Sequence, residues 1–407
     1  MLSADQARRI ILEHSRFLGS EKIPTLQSQG RYLADEVKAP MPLPSFDNAA
    51  MDGFAIRALD VLQASENNPV TLKVIKRVVA GDNIYQHCVM PLGHGQAVRI
   101  MTGAPVPEGA DTVVPFEDVT FTETTCELKD GVKEGQHVRR QGEDVLVGDL
   151  VLSCGEKLDL RRLALLTAVG VDQVCVGRKP KIKILSTGNE IIPLGEDLKP
   201  GQIYNSNGPA LVLALKAMGL EATELSIAVD TEEDLEKILQ SLSDVDILLT
   251  VGGVSAGDLD LVPKVLKKLG AEPLFHKVSI KPGKPLLFCR WDQRLVFGLP
   301  GNPVSALMVF ERFVRPALLQ MQGAKNIFST TYQAIMQEDL RASHGKEDYL
   351  RGHVIYSEGQ FQAFSAGRQG SAHLKALASS NAILIVPESV DYLHQGDAVS
   401  FVFWGDS

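Results

Sequence analysis

The chain has 407 residues, of which 44% are hydrophobic and 22% are charged, and this length indicates roughly two to four domains. Its formal net charge of -9 is opposite to the basic footprint of most nucleic-acid-binding proteins, so we expect no nucleic-acid partner. The five cysteines form no CxxC pair, which disfavours a zinc site and a disulfide framework. No apolar run approaches the length of a membrane span, so we expect a cytoplasmic protein rather than a membrane protein.

The N-terminal residues predict an amphipathic helix. Ser3 and Gln6 have the spacing of a capping box, in which each side chain bonds the backbone N–H of the other residue. Ile11, Phe17 and Leu18 fall roughly on one face at helical spacing, so we expect that face to be buried.

The next part of the chain predicts a small β-rich domain. Residues 38–55 are rich in proline and predict a stiff, extended loop. From about residue 70 to 155, short alternating apolar segments are separated by Gly, Pro and Asp turns, as in β-structure. A further helix is predicted in "DLRRLALLTAVG", with Gly170 ending it.

Residues 179–324 predict an α/β domain. Strand-like segments such as "KIKILST", "ELSIAVD" and "DILLTV" alternate with helical segments, which implies a parallel sheet with right-handed crossovers. The segment "PVSALMVFERFVRPALLQM" predicts a long closing helix with a kink at Pro316. After about residue 325, short segments such as "YLRGHVIY" and "DAVSFVFW" predict a small all-β tail domain.

Three unusual stretches directly follow predicted strands of the α/β domain: "STGNE", "GGVSAGDLD" and "GLPGNPVS". Ligands of open parallel sheets bind beyond the carboxyl ends of the strands, and glycines let backbone N–H groups approach an anion. We therefore expect the three stretches to share one rim, although each alone could be an ordinary strand-to-helix turn. The residues expected to contact a ligand there are Ser186, Thr187, Gly188, Asn189, Gly252, Gly253, Ser255, Gly257, Pro300, Gly301 and Asn302.

The segment "HKVSIKPGKP" places Lys277, Lys281 and Lys284 around a tight Pro-Gly turn. The last two ammonium groups could point at one anion, or all three could be solvated surface lysines. Carboxylates at Glu190, Asp258 and Asp260 fit a hard divalent cation, for which Mg²⁺ is the expected ion. Such an ion would let carboxylates and a phosphate-bearing ligand share the rim. The residues alone thus predict a metal-dependent phosphohydrolase of the α/β class.

Seven motifs resemble, in this order, those of the MoeA and gephyrin E-domain family, the molybdopterin molybdenumtransferases. They are "SFDNAAMDGFA", "RIMTGAPVPEGADTVV", "ILSTGNEI", "GQIYNSN", "GGVSAGDLD", "IKPGKP" and "GLPGNPVS", and the resemblance covers essentially the whole chain. It implies insertion of molybdate into adenylylated molybdopterin in molybdenum cofactor biosynthesis. The implied reaction includes Mg²⁺-dependent cleavage of the adenylate and release of AMP.

The resemblance also implies the fold and the assembly. The fold class is multidomain α/β plus β, with a central three-layer, mostly parallel α/β domain that resembles molybdopterin-binding domains. The implied domains are a discontinuous, elongated linking domain at 1–44 and 139–178, a β-rich domain at 45–138, the α/β domain at 179–324 and a barrel-like β domain at 325–407. The expected assembly is a homodimer whose active cleft receives loops from the second subunit.

Functional residues of the family are carried over by position in the motifs. Implied catalytic residues are Asp52, Thr102, Glu190, Asp260, Lys277 and Lys281. The expected metal ligands are Glu190, Asp260 and Asp144 from the resemblance, together with Asp258 from the carboxylate argument above. Implied ligand contacts add Asp230, and the molybdate pocket would take Lys281, Lys284, Ser305, Arg351 and Ser371. The motifs depart from the usual pattern at Ser45, Ala49, Phe54 and Arg368.

Two other functions remain open. The first is adenylylation of molybdopterin by ATP, for which the proline loop, the β-rich domain and the tail would be unnecessary. The second is a scaffold or binding role of the gephyrin type, which we expect only as an added role because the acidic and basic pocket residues are present. Expected partners are the small-molecule substrates and, transiently, a molybdopterin adenylyltransferase and molybdoenzyme chaperones.

Overall fold

A computed structural model describes residues 1–82, 91–225, 227–228, 231–254 and 261–405. The helices are α1 (Ala4–His14), α2 (Leu160–Ala168), α3 (Asn207–Ala217), α4 (Glu232–Gln240), α5 (Leu261–Lys268), α6 (Pro303–Val309), α7 (Arg315–Met321) and α8 (Leu374–Ala378), with a π-helical segment at Phe310–Val314 and 3-10 turns at Thr25–Gln27, Ala58–Val61 and Phe116–Asp118.

The strands are β1 (Ser20–Pro24), β2 (Val37–Lys38), β3 (Asn48–Ala49), β4 (Gly53–Ile56), β5 (Val70–Val78), β6 (Gln96–Ile100), β7 (Thr112–Pro115), β8 (Val119–Phe121), β9 (Thr125–Leu128), β10 (Val138–Arg139), β11 (Leu150–Leu152), β12 (Gln173–Gly177), β13 (Ile182–Ser186), β14 (Ile191–Ile192), β15 (Ile203–Tyr204), β16 (Ala222–Glu224), β17 (Ile247–Val251), β18 (Glu272–His276), β19 (Ile280–Lys281), β20 (Leu287–Trp291), β21 (Arg294–Leu299), β22 (Tyr332–Met336), β23 (Leu340–Arg341), β24 (Glu347–Ser357), β25 (Gln360–Ser365), β26 (Ala382–Val386), β27 (Tyr392–Leu393) and β28 (Ala398–Phe403).

The chain divides into two compact units. The first comprises Met1–Asp35, Cys154–Asp159 and Val174–Ser407, and the second comprises Glu36–Ser153 and Leu160–Gln173. The four implied domains and their boundaries remain predictions.

A six-stranded sheet with the order β16-β13-β17-β21-β20-β18 forms the centre of the first unit. The first four strands are parallel, and β20 and β18 are antiparallel to their neighbours. Ile247 and Leu249 of β17 pack into the core formed with α1, α3, α6 and α7, whereas Leu248 faces the core formed with α4 and α5. Helices therefore cover both faces of a mostly parallel sheet, which confirms the predicted three-layer α/β arrangement.

The C-terminal strands of the first unit form a closed barrel. The order is β19-β24-β25-β22-β28-β26, and β24 also pairs with β26, which closes the ring. Strand β19 comes from the α/β part of the chain and adds to β24 in parallel, with Lys281 opposite Asp348. Arg8 of α1 reaches the same strand, with hydrogen bonds to Glu347 Oε1 at 3.2 Å and Tyr349 Oη at 3.0 Å. The predicted barrel-like fold of the C-terminal region is confirmed.

The second unit is built on a six-stranded sheet with the order β7-β4-β6-β5-β9-β8, as expected for a β-rich region. Phe54 and Ile56 of β4 are fully buried in its core, together with Leu72 of β5. Helix α2 follows, and the chain leaves it through Gly170, which has a φ of +77° that suits glycine.

One helix prediction is wrong in its extent, and the long closing helix contains an irregular turn. The capping box of α1 is present, but the helix ends at His14, so Phe17 lies beyond it and is 48% exposed. The kink predicted at Pro316 remains a prediction, and a π-helical segment ends at Val314, just before it. Proline lacks the N–H that would bond the carbonyl of residue 312, which accounts for the irregular turn there. Within the described ranges, we find no helix long and apolar enough to cross a membrane.

Candidate functional site

The three stretches at the strand ends line one cleft of about 580 Å³. The sheet register explains this convergence, because Ser186 of β13 lies opposite Val251 of β17, which lies opposite Leu299 of β21. The three strands therefore end at the same level, as the alternating pattern predicted. Of the residues expected there, those lining the cleft are Ser186, Thr187, Gly188, Glu190, Gly252, Gly253, Pro300, Gly301 and Asn302.

Backbone contacts hold the glycine turn of β17 tightly against its neighbours. The N–H of Thr187 donates to the Val251 carbonyl at 2.9 Å, and the N–H of Gly252 donates to the Leu299 carbonyl at 3.1 Å. Gly252 has a φ of +92°, and a Cβ added there would lie 2.5 Å from the Thr187 carbonyl oxygen. Both the backbone conformation and the close approach require glycine at this position.

Glu190 is exposed on a small parallel ribbon at the edge of the cleft. Its carbonyl accepts from the N–H of Ile203 at 2.8 Å, and β14 pairs in parallel with β15 just beyond it. The carboxylate folds toward Gly188, where an added Cβ would lie 2.7 Å from Glu190 Oε2. The exposed carboxylate thus stands at the edge of the cleft, where it could hold a cation.

The residues of β15 and the three that follow it were missed as site residues. Ile203, Tyr204, Asn205, Ser206 and Asn207 all line the cleft, although the motif "GQIYNSN" was recognised. A polar Asn-Ser-Asn run before an apolar helix is the signal that could have identified them, because such residues favour helix N-termini.

The basic turn extends from the α/β part toward the barrel. Two backbone bonds close it, from Lys277 N–H to the Leu286 carbonyl and from Val278 N–H to the Lys284 carbonyl, both at 2.9 Å. Nζ of Lys281 donates to Ser343 Oγ at 2.5 Å, on the side of the barrel. The lysines therefore surround a turn next to the cleft, and Pro285 is the residue of that turn that lines the cleft itself.

Arg351 lies in β24 and is fully buried. Its Nη2 donates to the carbonyls of Arg368 at 2.9 Å and Gly370 at 3.1 Å, directly before Ser371. Burial lowers the pKa of Arg351 to about 10, and the nearby carboxylate of Asp348 opposes that shift. Burial raises the pKa of Asp348, against the opposing effect of Lys281.

Lys281 and Arg351 therefore flank one buried carboxylate, Asp348, which the sequence analysis did not anticipate. Ser305, another residue of the expected molybdate pocket, is buried in α6. Lys284 of the same set is exposed.

In the second unit, Asp52 and Thr102 come together. Oδ1 of Asp52 accepts from both the N–H and the hydroxyl of Thr102, each at 2.7 Å. The hydrogen bond from the Thr102 N–H, and after it the one from the Thr102 hydroxyl, lowers the pKa of Asp52. This carboxylate is therefore ionised at neutral pH. Asp144 is also exposed, and its N–H donates to the Leu43 carbonyl at 3.0 Å.

The metal prediction depends on residues that the structure describes only in part. Ser255, Gly257, Asp258, Asp260 and Asp230 lie outside the described residues. Within the described residues, no group of three or more His, Cys, Asp or Glu side chains could hold a metal ion. Glu190 is the described carboxylate that lines the cleft.

The chain matches three family models in succession. Residues 2–170 match the MoeA N-terminal region (domain I and II), residues 183–320 match a probable molybdopterin binding domain, and residues 333–404 match the MoeA C-terminal region (domain IV). These matches follow the same order as the motifs and cover most of the chain.

Similar proteins agree over nearly the full length. A molybdopterin molybdenumtransferase of Haemophilus influenzae is 37% identical over 98% of both chains, and one of Synechococcus elongatus is 38% identical over 94% of both. The crystal structure of a molybdopterin biosynthesis MoeA protein from Pyrococcus horikoshii superimposes with a TM-score of 0.83, at 34% identity and 99% coverage of both chains. The chain therefore belongs to the MoeA family.

Proposed function

We propose that the chain is a molybdopterin molybdenumtransferase of molybdenum cofactor biosynthesis, which inserts molybdate into adenylylated molybdopterin and releases AMP. The observation that supports this most strongly is the near-complete match to the three MoeA regions, combined with the cleft at the strand ends. A chain that served only as a scaffold would have no need of the close-packed glycine turns that let backbone N–H groups approach a phosphate.

In this proposal the cleft binds the adenylylated pterin. The glycine turns at Gly188, Gly252 and Gly301 would leave room for the phosphates to approach the main chain closely, and Glu190 with Asp258 and Asp260 would hold Mg²⁺. Glu190 fits that ion, because it is an exposed oxygen donor at the rim of the cleft. When bound, Mg²⁺ would neutralise phosphate charge that builds up as the adenylate is cleaved.

The molybdate would bind beside the cleft at Lys281, Lys284, Ser305, Arg351 and Ser371. Two nitrogens of the buried Arg351 guanidinium, Nε and Nη1, have no hydrogen-bond partner among the described residues. Buried donors of a charged group are costly to leave unpaired, so this arrangement favours an anionic ligand. Lys277 would add positive charge from the base of the turn.

We further propose a homodimer, in which Asp52 and Thr102 reach the cleft of the second subunit, and a cytoplasmic location. The exposed, ionised carboxylate of Asp52 is suited to act on a substrate held elsewhere. Asp144 and Asp230 would act as further acidic residues of the site. Transient contacts with a molybdopterin adenylyltransferase and with molybdoenzyme chaperones would supply the substrate and collect the product.

The test is incubation of the purified chain with adenylylated molybdopterin, Mg²⁺ and molybdate. We expect molybdate-dependent AMP release, measured by chromatography, together with a product that activates an apo-molybdoenzyme. A Lys281→Ala variant should need more molybdate, whereas Lys267→Ala, which removes a lysine from α5, should behave as the parent. Formation of adenylylated molybdopterin from ATP, without molybdate-dependent AMP release, would instead establish the adenylyltransferase function.

A further inference from the structure

We propose that Asn205 is a positioning residue of the cleft, and that Glu224 fixes the orientation of its amide. Asn205 would hold the end of β13, the first turn of α3 and the ribbon that carries Glu190 in one arrangement. This inference rests on the proposed function, since it assumes that Ser186 and Glu190 act on a ligand in the cleft.

Asn205 connects three elements through three side-chain hydrogen bonds. Its Nδ2 donates to Ser186 Oγ at 3.2 Å and to Glu224 Oε1 at 2.9 Å, and its Oδ1 accepts from the N–H of Gly208 at 3.2 Å. Asn205 is only 9% exposed, and Ser186 is 1% exposed. A buried amide whose NH₂ group makes two bonds and whose oxygen accepts one has a favoured orientation, so it defines the geometry of the groups around it.

The main chain of Asn205 extends this connection to Glu190. Its N–H donates to the Ile192 carbonyl at 2.8 Å, at the end of the ribbon in which Ile203 N–H bonds the Glu190 carbonyl at 2.8 Å. A displacement of Asn205 would therefore be transmitted in one direction to Ser186 and in the other to Glu190. Both of these residues line the cleft.

Glu224 decides which way the amide points. The carboxylate can only accept a hydrogen bond and the Gly208 N–H can only donate one, so Nδ2 must face Glu224 and Oδ1 must face Gly208. Gly208 is what allows this approach, because an added Cβ would lie 1.9 Å from Glu224 Oε1. Glu224, on β16, thus acts on the cleft through Asn205 without lining it.

The experiment exchanges donor and acceptor across this pair. Asn205→Asp would place an anionic oxygen 2.9 Å from Glu224 Oε1, and two carboxylates that close repel. At pH 8 we expect kcat/KM for AMP release from adenylylated molybdopterin to fall at least about tenfold, because misplaced contact groups lose positioning. Adding Glu224→Gln supplies an amide donor to the introduced carboxylate, so the double variant should return to within about threefold of the parent. Asn326→Asp, which adds the same charge on an exposed residue, is the matched control.

A substrate-free measurement separates this inference from the proposed function. Without substrate, hydrogen exchange of peptides covering 186–192 and 203–208 should be faster in Asn205→Asp and should return to the parental rate in the double variant. If the parent releases no AMP, the proposed function is wrong. The hydrogen-exchange rates of the single and double variants would still show whether Asn205 and Glu224 position the cleft. Parental kcat/KM or parental exchange in Asn205→Asp would overturn it. The inference would also be overturned if the double variant regained the parental exchange rate and melting temperature but not the parental kcat/KM. The amide of Asn205 would then act on the ligand directly and not through the groups that it positions.

Discussion

Gly252→Ala is the perturbation whose cost can be worked out most directly from the structure. Gly252 follows β17 with a φ of +92°, and an added Cβ would lie 2.5 Å from the Thr187 carbonyl oxygen and 3.0 Å from Thr187 Oγ1. The alanine must therefore either move Thr187 or open the turn. Both changes occur at the rim where the phosphates of the proposed ligand would lie.

The loss in the free energy of unfolding has two parts, which a matched variant can separate. A left-handed backbone conformation costs about 1–2 kcal/mol for alanine, and forcing a carbon into a packed site costs about 1–3 kcal/mol more. Gly195 has a φ of +99° and no atom within 4 Å of an added Cβ, so Gly195→Ala carries the backbone cost alone. We expect a loss in the free energy of unfolding of about 3 kcal/mol for Gly252→Ala and about 1 kcal/mol for Gly195→Ala.

The assay is urea unfolding followed by tryptophan fluorescence, together with AMP release. The two tryptophans, Trp291 and Trp404, both belong to the first unit, so their signal reports on the unit that contains the cleft. Gly252→Ala should also reduce kcat/KM, while Gly195→Ala should keep the parental value. Equal losses of stability in the two variants, with normal turnover in Gly252→Ala, would refute the close approach at the rim.

Three further predictions concern carboxylates. Asp246 accepts two bonds from the Arg178 guanidinium, at 2.9 and 3.0 Å, and although burial alone would raise its pKa, these bonds lower it. Asp246→Asn should therefore lose about 1 kcal/mol of stability at pH 7 after allowance for solvent screening. The difference from the parent should begin to shrink as pH falls below about 4, the ordinary pKa of Asp, and should vanish only below the lowered pKa of the native carboxylate. A difference that does not shrink at all as pH falls from about 4 toward 2 would contradict this. Mixed dimers of Asp52→Ala and Glu190→Ala chains should regain AMP release that neither variant shows alone, whereas inactive mixed dimers of folded chains would exclude a shared site. Asp260→Asn should retain ligand binding but lose roughly 10²-fold in AMP release, and near-normal turnover would remove Asp260 from the metal site.

The sequence predicted the rim of the site because the rim depends on local patterns. Strand and helix segments alternate from Ile182 to Lys268, and a helix also follows the strand that ends at Leu299. The carboxyl ends of neighbouring parallel strands must meet, so this pattern predicted that the glycine stretches lie on one edge of the sheet. Asn205 could not be predicted in the same way. Its role depends on Glu224, which lies on another strand and reaches it only because Gly208 leaves space.

The buried carboxylate of Asp348 in the barrel could not be predicted from the sequence for the same reason. Nothing in the local pattern indicates that residues 280–281 add a strand to the barrel, or that Asp348 lies next to both Lys281 and Arg351. Such contacts join segments far apart in the chain, and they depend on how layers pack rather than on periodicity.

The basic turn provides the geometric reason to expect both proposed substrates to lie side by side. Lys281 donates a hydrogen bond to Ser343 on the barrel side of the turn, and Pro285 lines the cleft on the other side. The turn between them packs on α6, because a Cβ added at Gly283 would lie 2.6 Å from Val309 Cγ2. Four residues of chain span at most about 14 Å even when fully extended, and a tight turn spans less. An oxyanion at Lys281 and a ligand against Pro285 would therefore lie on two sides of one turn, at most about 14 Å apart along the chain. Transfer between them requires that proximity, since reacting groups must approach to about 3–3.5 Å.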